Sequence, residues 1–161
     1  MSKKNEPFPA AAPFPWRPVL ALAIAALALF LFWPATGYGF LNLDDPLYAR
    51  DNPFVNSGFS WANLRWAFAA HENWWLPLLW LSYMLDVALF GPGPFGHHLV
   101  NVLLHAANAV LLFWALTHLL KSVWIAAFVA ALFAVHPLRV EAVAWITARK
   151  DVLSGLFYML A

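Results

Sequence analysis

GHHLVNVLLHAANAVLLFWALTHLLKSVWIAAFVAALFAVHP, residues 96–137, holds two apolar runs separated only by Lys121-Ser122. The first, from about Gly96 to Leu120, carries no Asp, Glu, Lys or Arg and exceeds the roughly 20 residues that cross about 30 Å of hydrocarbon. The second, from about Val123, is short at its apolar core and reaches a spanning length by extending through His136 to about residue 138. So short a turn predicts an antiparallel hairpin. Residues before the first run and residues after the second are therefore expected on one side of the bilayer.

Composition agrees with that reading. The chain is 63% hydrophobic and 11% charged, with ten Trp and fourteen Phe in 161 residues, whereas soluble domains carry about 25% charged residues. Its mean hydropathy is +0.68. The class predicted is an all-α polytopic membrane protein whose partner is the lipid bilayer. A net charge of +1 and no basic tract interleaved with aromatics set nucleic acid aside as a partner. Without cysteine there is no disulfide framework and no thiolate chemistry.

Upstream, no charged residue occurs between Pro18 and Leu43, which predicts a span at about 18–38 after a cytoplasmic tail, 1–17. Lys3, Lys4 and Arg17 place that tail inside. A cleaved signal peptide is the competing reading, because a basic start, an apolar stretch and Ala35-Thr36-Gly37 loosely fit its pattern. A further apolar run begins at Val152 and has ten residues, too few to cross, so the chain reads as the N-terminal piece of a longer membrane domain, 18–161. Residues 39–95 form the outer loop. Within it, the stretch 74–90 holds Trp74, Trp75 and Trp80 and is read as an interfacial helix that keeps Asp86 in water, since a central carboxylate in a span costs about 2.5–3.5 kcal/mol. Gly91-Pro92-Gly93-Pro94 then turns the chain into the long span.

The hairpin places residues 39–95 and 136–151 on the same face. Basic residues there (Arg50, Arg65, Arg139, Arg149, Lys150) outnumber those inside, against the usual bias. Either the orientation is inverted or these charges serve a ligand.

Three clusters could carry chemistry. Asp44-Asp45 lies just past the first span in "NLDDPLYARDNP"; adjacent loop carboxylates commonly cap a turn, but here one could act as general base or, with Asp51 or Glu72, hold a divalent cation. On the long span, His98, Asn101, His105 and Asn108 fall within an arc of about 80°. Such a stripe must face protein or a water-filled cavity, either bonding helix to helix or serving a function, and His97 and His98 lie nearest the surface. No HExxH or other ligand spacing supports a histidine-based metal site. The third cluster is "HPLRVEAVAWITARKD", with His136, Arg139, Glu141, Arg149, Lys150 and Asp151. Its Arg-Lys pair suits either an interfacial anchor or a phosphate clamp. Glu141, set between apolar residues, is expected to pair with a base or serve the site.

Together, "FLNLDDPLYARDNP", "PLLWLSYMLDVALFGPGPFGHHLVNVLLHAANAVLLF" and "LFAVHPLRVEAVAWITARKDVLSGLFYML" resemble, in order and spacing, the N-terminal half of the membrane region of TMTC-like proteins. These are tetratricopeptide-repeat-bearing O-mannosyltransferase relatives of GT-C type. The resemblance covers about 37–161 and implies a GT-C-like helix bundle that moves a sugar, taken as mannose, from a polyprenyl- or dolichyl-phosphate donor to a protein Ser or Thr hydroxyl. It implies Asp44-Asp45 as the acidic pair and carries His97 and His98, Glu141, Arg149, Lys150 and Asp151 over in position. Arg149, Lys150 and His97 would then meet the leaving phosphate, with His98 beside them and Glu141, His136, Arg139 and Asp151 in support. The resemblance fixes no cofactor, and a divalent metal could be accommodated. The site would face the periplasm in a bacterium or lie in the endoplasmic reticulum of a eukaryote. Two departures stand out: Leu76 where many members have His, and Ala148 where Glu usually precedes Arg-Lys-Asp. The rival readings are a transporter or scaffold whose polar stripe lines a pathway, and a fragment inactive on its own.

Overall fold

The computed structural model describes residues 16–69 and 75–161; Lys3, Lys4, Glu72 and Trp74 lie outside the described residues. Every regular element described is helical. Helix α1 (Trp16–Phe32) runs on as a 3-10 turn, Trp33–Gly37, where Pro34 tightens the chain. The segment expected as the outer loop, in its described residues, folds into a π-helical turn, Pro46–Arg50, and three helices: α2 (Pro53–Asn56), α3 (Trp61–Phe68) and α4 (Pro77–Phe90). Helix α5 (Pro94–Leu120) and α6 (Val123–Val135) form the hairpin, and α7 (Arg139–Ala144), a 3-10 turn Ile146–Ala148 and α8 (Arg149–Leu160) complete the fold.

Two of these segments, Trp16–Gly37 and Pro94–Leu120, are long and apolar enough to cross a membrane, while Pro77–Phe90 and Val123–Val135 are shorter apolar helices. The hairpin turn is made by Lys121 in the left-handed region, φ 52°, with Ser122 extended. Helix α6 stops at Val135, short of the expected residue 138, because a residue preceding proline is driven out of helical geometry and His136 is extended before Pro137. Helix α8 starts at Arg149 instead of Val152. The expected loop before it is the 3-10 turn that leads straight into the helix.

Small residues set the packing of α1, α5 and α6. Ala21, Ile24 and Ala28 meet Ala106, Ala109, Ala126, Ala130 and Ala134, with Phe113 filling the space between. Alanines lining the helix contacts let backbones approach closely, the usual solution where both surroundings and side chains are apolar. Trp16 and Trp124 pair at the end of this bundle remote from the outer loop, with ring centroids 5.4 Å apart.

Helix α4 departs most from expectation. It does not lay Asp86 in water: Asp86 is fully buried, and Trp80 is buried with Tyr48 and Trp66 in an aromatic cluster. The cause is tight packing of α4 on α5. A Cβ at Gly96 would come within 2.7 Å of the Phe90 Cβ, so only glycine allows this approach. Gly91, at φ 81°, supplies the left-handed reversal between the two helices. Thus α4 turns its polar residues inward onto the bundle, where they find protein partners.

Candidate active site

The two outer-loop carboxylates have separate environments. Asp44 is exposed, its backbone carbonyl accepts the N–H groups of Leu47 and Tyr48 at 3.0 Å each, and its side chain has no hydrogen-bond or ion-pair partner among the described residues. Asp45 is fully buried. Its Oδ2 accepts the Leu41 N–H at 2.8 Å, and its Oδ1 accepts the Thr147 hydroxyl at 2.7 Å and the Thr147 N–H at 3.3 Å. The two Thr147 bonds cross 102 positions of sequence and join this loop to the turn before α8. A carboxylate so saturated acts as a latch, whereas Asp44 keeps its lone pairs free.

The surrounding loop is locally built. Asn52 caps α2 by accepting the Phe54 and Val55 N–H groups, and Ser60 caps α3 through Asn63 N–H. Arg50 chelates Asp51 and also donates to Asn42 Oδ1 at 2.8 Å. The Asp51 carboxyl is held below its ordinary value, chiefly by the hydrogen bond from Arg50. That bond occupies Asp51 with a neighbour and leaves it little scope as a ligand to a cation. The phenol of Tyr48 is pushed up, first by burial and then by the charge of Asp44. Among the described residues no group of three or more His, Cys, Asp or Glu could hold a metal ion.

Beneath this loop lies a charged network between α4, α5 and α8. Arg149, expected beside the headgroups, is fully buried. Its guanidinium pairs with Asp86 and donates to Asn101 Oδ1 at 2.7 Å, the His97 carbonyl at 2.7 Å and Ser82 Oγ at 3.1 Å, with Tyr83 stacked 4.6 Å from Cζ. Arginine stays charged, and the matching charge for it inside the bundle is Asp86. The His97 ring sits against the same carboxylate, with Nδ1 2.7 Å from Asp86 Oδ2. His98 is buried beside it and meets the Tyr38 ring edge-on. Tyr83 donates its hydroxyl to the Ile146 carbonyl at 2.9 Å, a second tie from α4 to the turn before α8.

The stripe on α5 faces protein throughout. Asn101 donates to the Trp145 carbonyl at 3.1 Å, His105 Nε2 to Ala134 at 3.0 Å and Asn108 to Val152 at 2.8 Å. Lys150, Glu141, His136 and Asp151 are exposed. Glu141, expected to pair with a base, has no side-chain partner among the described residues. Arg139 lies over the Phe133 ring, 4.4 Å from its centroid, and with Asp151, Asn108 and Tyr158 lines a cavity of about 410 Å³. Lys150 lines a different groove, about 440 Å³, whose other walls include Phe68, Pro77, Leu79, Leu153 and Phe157.

Sequence reasoning missed Thr147, Ser82, Tyr83 and the role of Asp86. Ser82 and Asp86 are four residues apart and so share one face of an apolar helix, a signal that a cation must come to meet them.

Described elements that are all helical, two of them apolar and of spanning length, with a buried charged network and an exposed carboxylate, define a helical protein with a polar site at one end of an apolar bundle. Comparison with known proteins places it more closely. The chain is 36% identical over 157 residues to mouse protein O-mannosyl-transferase TMTC1, a match covering 89% of this chain and 16% of that protein. It is 34% identical to human TMTC1 over the same share of this chain and 18% of that protein, and 34% identical to Drosophila melanogaster Tmtc2 over 86% of this chain and 16% of that protein. Over the stretch it shares with them, the chain belongs to the TMTC-like family. It spans less than a fifth of the length of these relatives, at 16–18%. No family model matches it, and no solved structure does.

Proposed function

We propose that this chain is the acid/base-bearing part of a membrane glycosyltransferase of GT-C type, moving a sugar, taken as mannose, from a polyprenyl- or dolichyl-phosphate donor to a Ser or Thr hydroxyl of a protein. The observation that carries the reading is the Asp45–Thr147 latch, which brings the acidic loop to the segment bearing Arg149 and Lys150. The names of the relatives support glycosyl transfer to proteins.

In this reading Asp44 is the general base. The acceptor hydroxyl oxygen attacks the anomeric carbon, its proton passes to Asp44, and the bond from that carbon to the lipid phosphate breaks. A base within hydrogen-bond reach contributes about 10²–10⁴-fold to such a step. Lys150, exposed on an apolar groove, meets the leaving phosphate, whose growing charge a nearby cation stabilises preferentially. The same groove offers apolar walls to an isoprenoid tail. Arg149, His97 and His98 serve as buried support, Arg139 and Asp151 line a neighbouring cavity, and His136 and Glu141 are exposed.

The transporter reading has less behind it, because Asn101, His105 and Asn108 are all bonded to backbone carbonyls of neighbouring segments. The test is transfer by the full-length protein containing this chain, purified in detergent, from dolichyl-phosphate mannose to a Ser/Thr-bearing peptide. Time-dependent mannosylated peptide is expected; an intact donor and unmodified peptide would overturn the reading.

A further inference from the structure

Asp45 and Asp86 are the two carboxylates buried among the described residues, and they stand at opposite ends of one chain of contacts. Asp86, on α4, pairs with Arg149, the first residue of α8. The remaining donors of Arg149 reach Asn101 and the His97 carbonyl on α5 and Ser82 on α4, so one side chain ties the start of α8 to both helices. Two residues earlier, Thr147 grips Asp45 with its N–H and its hydroxyl, and Asp45 in turn holds the Leu41 N–H.

We propose that Asp86 is a positioning residue for the outer-loop carboxylates: by anchoring Arg149 it fixes the turn 146–148, and through Thr147 it fixes Asp45 and so the direction in which Asp44 is presented. The partners of Arg149 other than Asp86 are neutral, and neutral acceptors do not compensate a buried guanidinium. Without Asp86 the charge would be drawn toward water, pulling residues 147–149 away from the loop. A buried ion pair adds little net stability over well-packed apolar residues of equal volume, so its presence between apolar helices is explained by the orientation it imposes. Two atoms of the cluster, Asp86 Oδ1 and His97 Nε2, are buried without a hydrogen-bond partner. The cluster is thus built around matching charge and not around saturating every polar atom.

The catalytic consequence rests on the reading of Asp44 as the base; the structural consequence does not. Both are tested in the full-length protein with three variants, Asp86→Asn, Asp86→Asn/Arg149→Met and Thr147→Val, the last touching no ion pair. Dolichyl-phosphate mannose and a Ser/Thr peptide serve as probes, and amide hydrogen exchange is followed by mass spectrometry. Expected in each variant is a fall in kcat of about 100-fold, the scale of a displacement of about 1 Å at a reacting group, with the donor KM changed less than about twofold. Exchange at Leu41 and Thr147 should quicken while α1, α5 and α6 keep their protection. Asp86→Glu should recover part of the rate, which mere filling of the site would not. Wild-type kcat in folded Asp86→Asn/Arg149→Met or in Thr147→Val overturns the proposal, as does a slow variant whose Leu41 and Thr147 amides remain as protected as in the parent. Where Asp86→Asn alone fails to fold, these two variants decide. Absence of transfer by the parent protein would refute the proposed function, and the exchange measurement would still judge the positioning role.

Discussion

Asp44→Asn is expected to lower mannosyl transfer by about 10²–10⁴-fold, the range that a positioned general base contributes. The substitution is nearly isosteric, the side chain is exposed, and no bond of the fold depends on its oxygens among the described residues. Its effect should therefore fall on the reaction and leave thermal stability as it was. Asp45→Asn should behave differently. An amide in place of a carboxylate that accepts three hydrogen bonds weakens the latch to Leu41 and Thr147, so loss of rate should come with loss of order in residues 41–46. Initial rates in the full-length protein, set beside unfolding temperatures, separate the two. Wild-type transfer by Asp44→Asn would remove Asp44 from the mechanism.

Arg149→Met is expected to destabilise the protein by about 3–5 kcal/mol, the usual result of removing one partner of a buried ion pair. Methionine fills much of the volume but leaves Asp86 without its cation among apolar helices and strips Asn101, Ser82 and the His97 carbonyl of their donor. Converting Asp86 to Asn in the same protein should restore most of the loss, since no carboxyl group then remains buried without its cation. An exposed neighbour provides the control: Lys150→Ala should change stability by less than about 0.5 kcal/mol. The comparison can be made by denaturant unfolding in detergent. A folded Arg149→Met as stable as the parent would mean that the pair with Asp86 contributes nothing to the fold.

The parts of the fold that were legible in the sequence are those governed by period and length. Lys121-Ser122 between two apolar runs predicts a hairpin, and the spacing of His98, Asn101, His105 and Asn108 predicts a stripe that faces protein or a water-filled cavity; in the structure it faces protein. The chemical neighbourhood of Asp45 was legible only in outline. The hairpin predicts that residues 39–95 and 136–151 share one face, but nothing in local spacing pairs Asp45 with a threonine 102 positions away. For α4 the sequence offers Asp86 only lipid or water, and the structure gives it neither. The third environment, a protein interior supplying Arg149 and His97, depends on α4 packing against α5 through Gly96. Likewise Arg149 and Lys150, adjacent in sequence and alike in charge, point about 100° apart on a helix. One enters the network and the other meets the groove.

In the proposed mechanism the paired carboxylates divide their work, Asp44 free and reactive, Asp45 bound and structural. Carbodiimide labelling of the folded full-length protein with an amine nucleophile, read by mass spectrometry alongside residual mannosyl transfer, tests this most directly. Rapid labelling at Asp44, protection at Asp45, and transfer lost in proportion to the label on Asp44 are expected. Equal labelling of both carboxylates, or full modification of Asp44 with transfer intact, would contradict it.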